Sequence, residues 1–263
     1  VQVETMKSEQ GLKCIRRSNP TGHHYFISSL QGKDVDAEVE LAVDAKSAIL
    51  FDALTGKYGI VPVRRQNGRS YVRLQLASGE SCILQTYQKL TESDLRRQHA
   101  ELKDWKYREP DNQAIIDLTP NTWKLDISQL EGVATTAKKN YKLTGVEAWT
   151  QIDALKNAKG TVAYTTTFKI DKKQFNSGAY TDYLLDLGDV RESAHVYVNG
   201  QDAGIVFSVP FRMNIGQYLK AGKNTIRVEV TGLCANYIAE MDRQGKEWRI
   251  FKDTNIARSE ERR

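Results

Sequence analysis

The chain has 263 residues, of which 40% are hydrophobic and 27% charged, with a formal net charge of +5. These values exclude a disordered chain, and the length suits two ordinary domains or one large β domain, with cores that need no disulfide support. The arginine pairs Arg16-Arg17, Arg64-Arg65, Arg96-Arg97 and Arg262-Arg263 are scattered among acids, so nucleic acid is not an expected partner, and no hydrophobic run is long enough to span a bilayer.

Residues 11–88 read as short strands punctuated by turns. Asn19-Pro20-Thr21-Gly22 is a turn before an apolar-rich strand from Tyr25 to Leu30, and Val39, Leu41 and Val43 alternate with Glu38, Glu40 and Ala42. Asn67-Gly68 is a second turn, followed by alternating Val72, Leu74 and Leu76, and Cys82 to Tyr87 closes the set. The spacing predicts a small antiparallel sandwich. At Thr91-Glu92-Ser93-Asp94 the pattern changes to a helix start with an acid three places on. Leu95, Leu102 and Trp105 then share one helical face, and Pro110 ends the helix. From Ile115 strands return: Trp123, Leu125 and Ile127 alternate, and Gly160 to Ile170 is long and rich in β-branched residues. Residues 183–231 carry the clearest pattern. Val196 and Val198 alternate with His195 and Tyr197 up to Asn199-Gly200, a pair suited to a two-residue turn with φ > 0. Ile226, Val228 and Val230 alternate with Thr225, Arg227, Glu229 and Thr231. The expected fold class is all-β: two antiparallel β-sandwich domains, 1–89 and 115–263, joined by a connector with a short helix at 90–114.

Chemistry is sparse on this chain. Glu240 and Asp242 are neighbours in a loop-like segment, as are Glu260 and Glu261, and both pairs read as solvated surface because nothing visible raises their pKa. There is no G-x-S-x-G nucleophile elbow and no Gly-rich phosphate loop. His23 and His24 are adjacent in a strand, so they point to opposite faces and do not readily share an ion. Three cysteines exclude a disulfide framework and a zinc ribbon. Cys14 and Cys82 stand as two buried thiols or as a pair, the first reading being preferred. Carbohydrate recognition is the remaining chemistry, since it uses aromatic platforms and planar hydrogen-bonding side chains. Of the four tryptophans, Trp123 is assigned to a core. Trp149, at a turn, and Trp248, among charges, are the candidate platforms, with Arg212 and Asn236 as polar candidates beside them.

The run Leu187-Gly188-Asp189-Val190, Val196-Tyr197-Val198-Asn199-Gly200, Gly204, Pro210-Phe211-Arg212 and Gly222-Lys223-Asn224 resembles the galactose-binding-domain-like jelly roll of large glycoside hydrolases. With Asn236-Tyr237-Ile238, Asp242-Arg243-Gln244-Gly245 and Trp248-Arg249-Ile250-Phe251, the likeness narrows to the C-terminal region of bacterial proteins similar to glycoside hydrolase family 106, the α-L-rhamnosidases. The segment LKCIRRSNPTGHHYFISSL, residues 12–30, resembles the stretch that follows the catalytic barrel in such enzymes. The resemblance implies a small sandwich after a missing upstream barrel, then a jelly roll, acting together as a non-catalytic accessory region. It implies carbohydrate as a partner, with rhamnose-containing glycan foremost, and the upstream barrel as a second partner. No catalytic residue carries over onto this chain, which is expected to be inactive by itself, and no cofactor is implied, with a structural calcium left open. A periplasmic or extracellular location is expected, the export signal lying upstream of Val1. A stand-alone glycan-binding module and a purely structural domain pair are the rival readings.

Overall fold

The computed structural model describes residues 3–30, 32–108, 115–176 and 183–248. The chain divides into two compact units, Val1–Ile115 with Ser208–Pro210, and Ile116–Phe207 with Phe211–Arg263. Strands dominate both, so the protein is all-β with few helices.

In unit 1 a short helix α1 (Met6–Glu9) precedes eight strands: β1 (Lys13–Asn19), β2 (Gly22–Ser28), β3 (Val35–Leu41), β4 (Ser47–Phe51), β5 (Tyr58–Val61), β6 (Arg64–Gln66), β7 (Arg69–Leu76) and β8 (Ser81–Tyr87). They form a five-stranded sheet ordered β1-β2-β8-β4-β5 and a three-stranded sheet ordered β3-β7-β6. Every pairing is antiparallel. Alternation decides what is buried: Tyr25, Ile27, Leu50, Val61 and Leu84 of one sheet meet Val39, Leu41, Val72 and Leu74 of the other in one core. Asn67 (φ 51°) and Gly68 (φ 72°) make the tight turn between β6 and β7. Arg64 and Arg65 are each matched by an acid, Glu38 and Asp44.

Helix α2 (Glu92–Gln98) starts with the expected capping box. The Asp94 N–H donates to Thr91 Oγ1, and the Thr91 N–H donates to an Asp94 oxygen, an arrangement worth about 1 kcal/mol. The single helical face through Leu95, Leu102 and Trp105 is corrected. The helix stops at Gln98, and the chain beyond runs extended beside β5. There Ile60 N–H donates to Lys103 O and Trp105 N–H donates to Ile60 O, so backbone pairing outcompetes helix propagation. Leu95 and Leu102 still share a cluster with Ile49, Ile60 and Tyr87, which covers part of the outer face of the five-stranded sheet.

Cys14 and Cys82 both lie opposite Ile27, from the strands on either side of β2. Two strand spacings separate their Cα atoms by about 9.6 Å, beyond disulfide reach, and both are free thiols. Burial pushes the Cys82 thiol up to about 12. In a thiol-labelling experiment at pH 8 the exposed Cys234 should react at once, while Cys82 should react only after denaturant is added. Prompt labelling of Cys82 in the native protein would contradict this burial.

Unit 2 holds β9 (Thr122–Glu131), β10 (Asn140–Thr144), β11 (Lys159–Ile170), β12 (Leu184–Asp186), β13 (Ser193–Val198), β14 (Gln201–Val206), β15 (Arg212–Asn214) and β16 (Gly222–Thr231), with helices α3 (Lys172–Asn176) and α4 (Ala235–Arg243). Six strands form one antiparallel sheet, β10-β9-β11-β16-β13-β14, and β12 pairs with β15 in a second, thin layer. Trp123, Leu125, Val162, Tyr164, Val196, Val198, Ile226 and Val228 point from the large sheet into a core that Phe211, Ile215 and Leu219 close from the other side. Asn199 (φ 52°) and Gly200 (φ 81°) form the hairpin tip between β13 and β14, as their residue types require. The segment carrying Glu240 and Asp242, expected as a loop, is helix α4. None of its side chains is fully buried; Tyr237, Ile238 and Met241 lie half-buried along one side, an apolar stripe of little more than two turns that is too short to stand out in the sequence. Glu260, Glu261 and Arg262-Arg263 lie outside the described residues.

Candidate carbohydrate-facing site

Because side chains alternate along a strand, the positions between the core residues of the six-stranded sheet line its outer face. Register brings them into two rows. Asp126, Ala163, Glu229, His195 and Ile205 lie opposite one another across β9, β11, β16, β13 and β14. Lys124, Thr165, Arg227, Tyr197 and Asp202 form the next row. The register shifts between Thr161 and Ala163, where β9 carries an extra residue. Such a bulge re-aims side chains, and a shallow depression lies there, lined by Asp126, Ser128, Gln129, Thr161, Arg227 and Glu229.

The side chains of these rows hold one another in place. His195 Nε2 is 2.8 Å from Asp202 Oδ1, and Tyr197 Oη is 3.1 Å from His195 Nδ1. A neutral imidazole protonated at Nε2 satisfies both, with the tyrosine hydroxyl donating to Nδ1. Asp202 Oδ1 also accepts the Gly204 N–H at 2.8 Å. The His195 bond, followed by the Gly204 amide, holds the Asp202 carboxyl below its ordinary range. The rings of His195 and Tyr197 sit 4.4 Å apart. Arg227 Nη1 pairs with Glu229 Oε1 at 2.7 Å, and its guanidinium lies 5.7 Å from the Tyr197 ring. The Ser128 amide and hydroxyl hold the Asp126 carboxyl low as well, so it is ionised at neutral pH and unsuited to a general acid. What remains is a flat, fixed set of planar hydrogen-bonding groups beside one aromatic ring. That set can bind hydroxyls.

The four residues singled out from the sequence are each held by a different partner. Trp149 opens a 3₁₀ turn and is only 7% exposed, within the core, which corrects its reading as an exposed platform. Its backbone N–H donates to Tyr164 Oη at 2.9 Å, and a Cβ on Gly232 would come within 2.9 Å of the indole. The turn folds the ring inward, where apolar contact outweighs exposure. Arg212 begins β15, directly opposite Asp186, and its Nε donates to Asp186 Oδ2 at 2.8 Å, an ion pair that fixes the strand. Asn236 Nδ2 donates to Lys156 O at 3.0 Å and tethers the start of α4. The half-buried Trp248 donates its indole N–H to Asp242 just beyond α4. Glu240 accepts from Asn157 Nδ2 at 3.0 Å and pairs with Arg243, so it is structural too. His23 and His24 take opposite faces of β2, His24 meeting Asn19 at 2.8 Å. No group of three or more metal-ligating side chains is placed to hold an ion among the described residues.

Reading the sequence alone passes over His195, Tyr197, Asp202, Arg227 and Glu229. Their signal is present as the spacings His195-x-Tyr197 and Arg227-x-Glu229, each of which puts two polar side chains on one face.

Comparison with known proteins comes to three findings. The family model for the sugar binding domain of glycosyl hydrolases family 2 matches residues 108–256, more than half of the chain. A protein of Formosa agariphila, provisionally described as a β-glucuronidase, is 33% identical over 93 residues, covering 35% of this chain and 8% of that protein. The solved rhamnosidase of Novosphingobium sp. PP1Y shares the fold, with a TM-score of 0.66 at 22% identity, over 90% of this chain and 21% of its own. The chain thus spans a small fraction of the length of each relative.

Proposed function

Since the chain belongs to the family of sugar-binding domains of glycosyl hydrolases family 2, we propose that it is the non-catalytic accessory region of a larger, exported, α-L-rhamnosidase-like hydrolase acting on complex glycans. In this reading unit 2 contacts carbohydrate through the outer face of its large sheet, and the wider protein works in the periplasm or outside the cell. The observation that carries the reading is the fixed set of Asp202, His195, Tyr197, Arg227 and Glu229, drawn from two adjacent rows within the segment that matches the family. Planar groups already bonded to one another lose little freedom on meeting a sugar, so their hydrogen bonds are not offset by ordering. The likeness to a rhamnosidase in fold supports rhamnose-containing glycan as the first ligand to try. The glucuronidase-like relative makes a glucuronide the second. Arg227 is already neutralised by Glu229, which favours the uncharged sugar.

Titration of rhamnose-containing oligosaccharides should give a Kd on the order of millimolar, or about −4 kcal/mol, as befits an open face. Arg227→Ala and His195→Ala should each weaken binding about fivefold or more with the melting temperature unchanged. Aryl α-L-rhamnoside should not be turned over by the chain alone: of the two carboxyl groups that line the depression, Asp126 is held low by Ser128 and Glu229 is paired with Arg227, so neither serves as the general acid. Full affinity in both variants, or turnover abolished by changing one acid of this chain, would overturn the reading.

A further inference from the structure

Unit 1 has a partly exposed apolar strip that the family match, at 108–256, does not reach. Ile15 of β1 lies opposite Phe26 of β2, Phe26 opposite Ile83 of β8, Ile83 opposite Phe51 of β4, and Phe51 opposite Tyr58 of β5. One apolar row therefore crosses all five strands on the face away from the core. Ile15, Phe26 and Tyr58 are 62%, 47% and 48% exposed. The Phe51 and Tyr58 rings are stacked, 5.9 Å apart at 23°. The stretch from Phe26 to Tyr58 spans about 14 Å, three strand spacings. Along it lies an open groove of about 410 Å³, with Phe51 and Ile83 as lining and His24, Gln85, Asp52 and Lys57 around them. The hairpin that forms one wall is fixed: Asp52 N–H donates to Lys57 O at 2.8 Å, and Asp52 Oδ1 accepts the Leu54 N–H at 3.0 Å.

We propose that this groove is a second glycan site, and that it takes a 6-deoxyhexose. The inference rests on the reading of the chain as a glycan-contacting region. An aromatic and aliphatic lining ringed by four hydrogen-bonding side chains matches a pyranose, which has one C–H face and a rim of hydroxyls. An apolar protein surface would leave Gln85 and Lys57 to be desolvated without matching groups, whereas His24 and Asp52 already meet Asn19 and the Leu54 N–H. The lining also selects at the exocyclic carbon. A hydroxymethyl group placed against Phe51 and Ile83 loses hydrogen bonds to water, whereas a methyl group loses none and gains contact.

The test is a backbone-amide NMR titration of the whole chain with methyl α-L-rhamnoside and with methyl α-L-mannoside, which differ only in the hydroxyl at C6. The expected result is shifts at Phe51, Lys57, Ile83 and Gln85, with the rhamnoside bound at least threefold more tightly. Phe51→Ala should abolish these shifts while leaving any at Arg227 and Glu229 intact. Gln85→Ala, a change on the outer face of the sheet rather than in its core, should weaken the site at least threefold. Shifts confined to unit 2 would overturn this site and leave the proposed function standing, while an absence of shifts with every sugar tried would overturn both. Equal affinity for the two glycosides would overturn the 6-deoxy selection, and shifts at these amides on dilution of the protein alone would assign the strip to a second copy of the chain instead.

Discussion

Trp149→Ala should destabilise unit 2 by about 3–5 kcal/mol, the range for removing a large aromatic side chain from a packed core. The indole is buried among the residues that close the end of the large sheet, with Gly232 close against its ring. Its loss leaves a cavity that the neighbours cannot refill, because Tyr164 is committed: its hydroxyl accepts the Trp149 N–H and donates to Glu147 O at 3.2 Å. Urea denaturation followed by signals specific to unit 2 measures the change. A loss below about 1 kcal/mol, the level of an ordinary surface substitution, would mean that the indole lies outside the core. A variant that folds normally but loses sugar binding would restore the residue to the role its sequence position suggested.

Asn224→Ala should cost about 2–4 kcal/mol, although the residue is polar and the change is small. The side chain is fully buried and every atom is used. Its Oδ1 accepts from Asn199 Nδ2 at 2.8 Å and from the Lys220 N–H at 3.0 Å. Its Nδ2 donates to Lys220 O at 2.7 Å and to Gly222 O at 3.1 Å. Asn199, at the hairpin tip, continues the network to Tyr218 O and to the Thr225 N–H. Alanine would strand donors and acceptors from two turns away from water. Chemical denaturation gives the magnitude, and amide exchange should quicken first at Lys220 and Thr225. Loss of less than about 0.5 kcal/mol, with protection unchanged, would mean that the network contributes nothing.

The contrast between these residues shows what the sequence could and could not convey. Strand period, turn chemistry and capping are local. Val196 and Val198, Asn199-Gly200 and Thr91-Asp94 declare themselves over a few residues, and the structure contains all three. Helix α4 hides because its apolar side, Tyr237, Ile238 and Met241, is short and only half-buried, and the helix at 92–98 ends early because β5 offers its neighbour better backbone partners. Trp149 misleads because an indole at a turn faces water or core according to where distant strands lie, and spacing does not encode that. The rows on the large sheet depend on β16 lying between β11 and β13. Glu229 meets Ala163 and His195 only in that order of strands, which the chain itself does not spell out.

That order has a kinetic meaning as well. Among the described residues, the last strand of unit 1 to emerge during synthesis, β8, is the one that sits between β2 and β4, and the last strand of unit 2, β16, sits between β11 and β13. Each sheet is therefore built like an arch whose keystone arrives last. Before it does, the strands on either side expose unpaired amides and carbonyls and cannot form their native ladder with each other. The pairs β1-β2, β4-β5 and β13-β14 and the trio β10-β9-β11 can form as the chain lengthens, but neither large sheet is joined before that last strand. Each must wait for its final strand and then close over long sequence separations, which makes folding slow for the size of the unit and the unfinished chain vulnerable to strand pairing with other copies of itself.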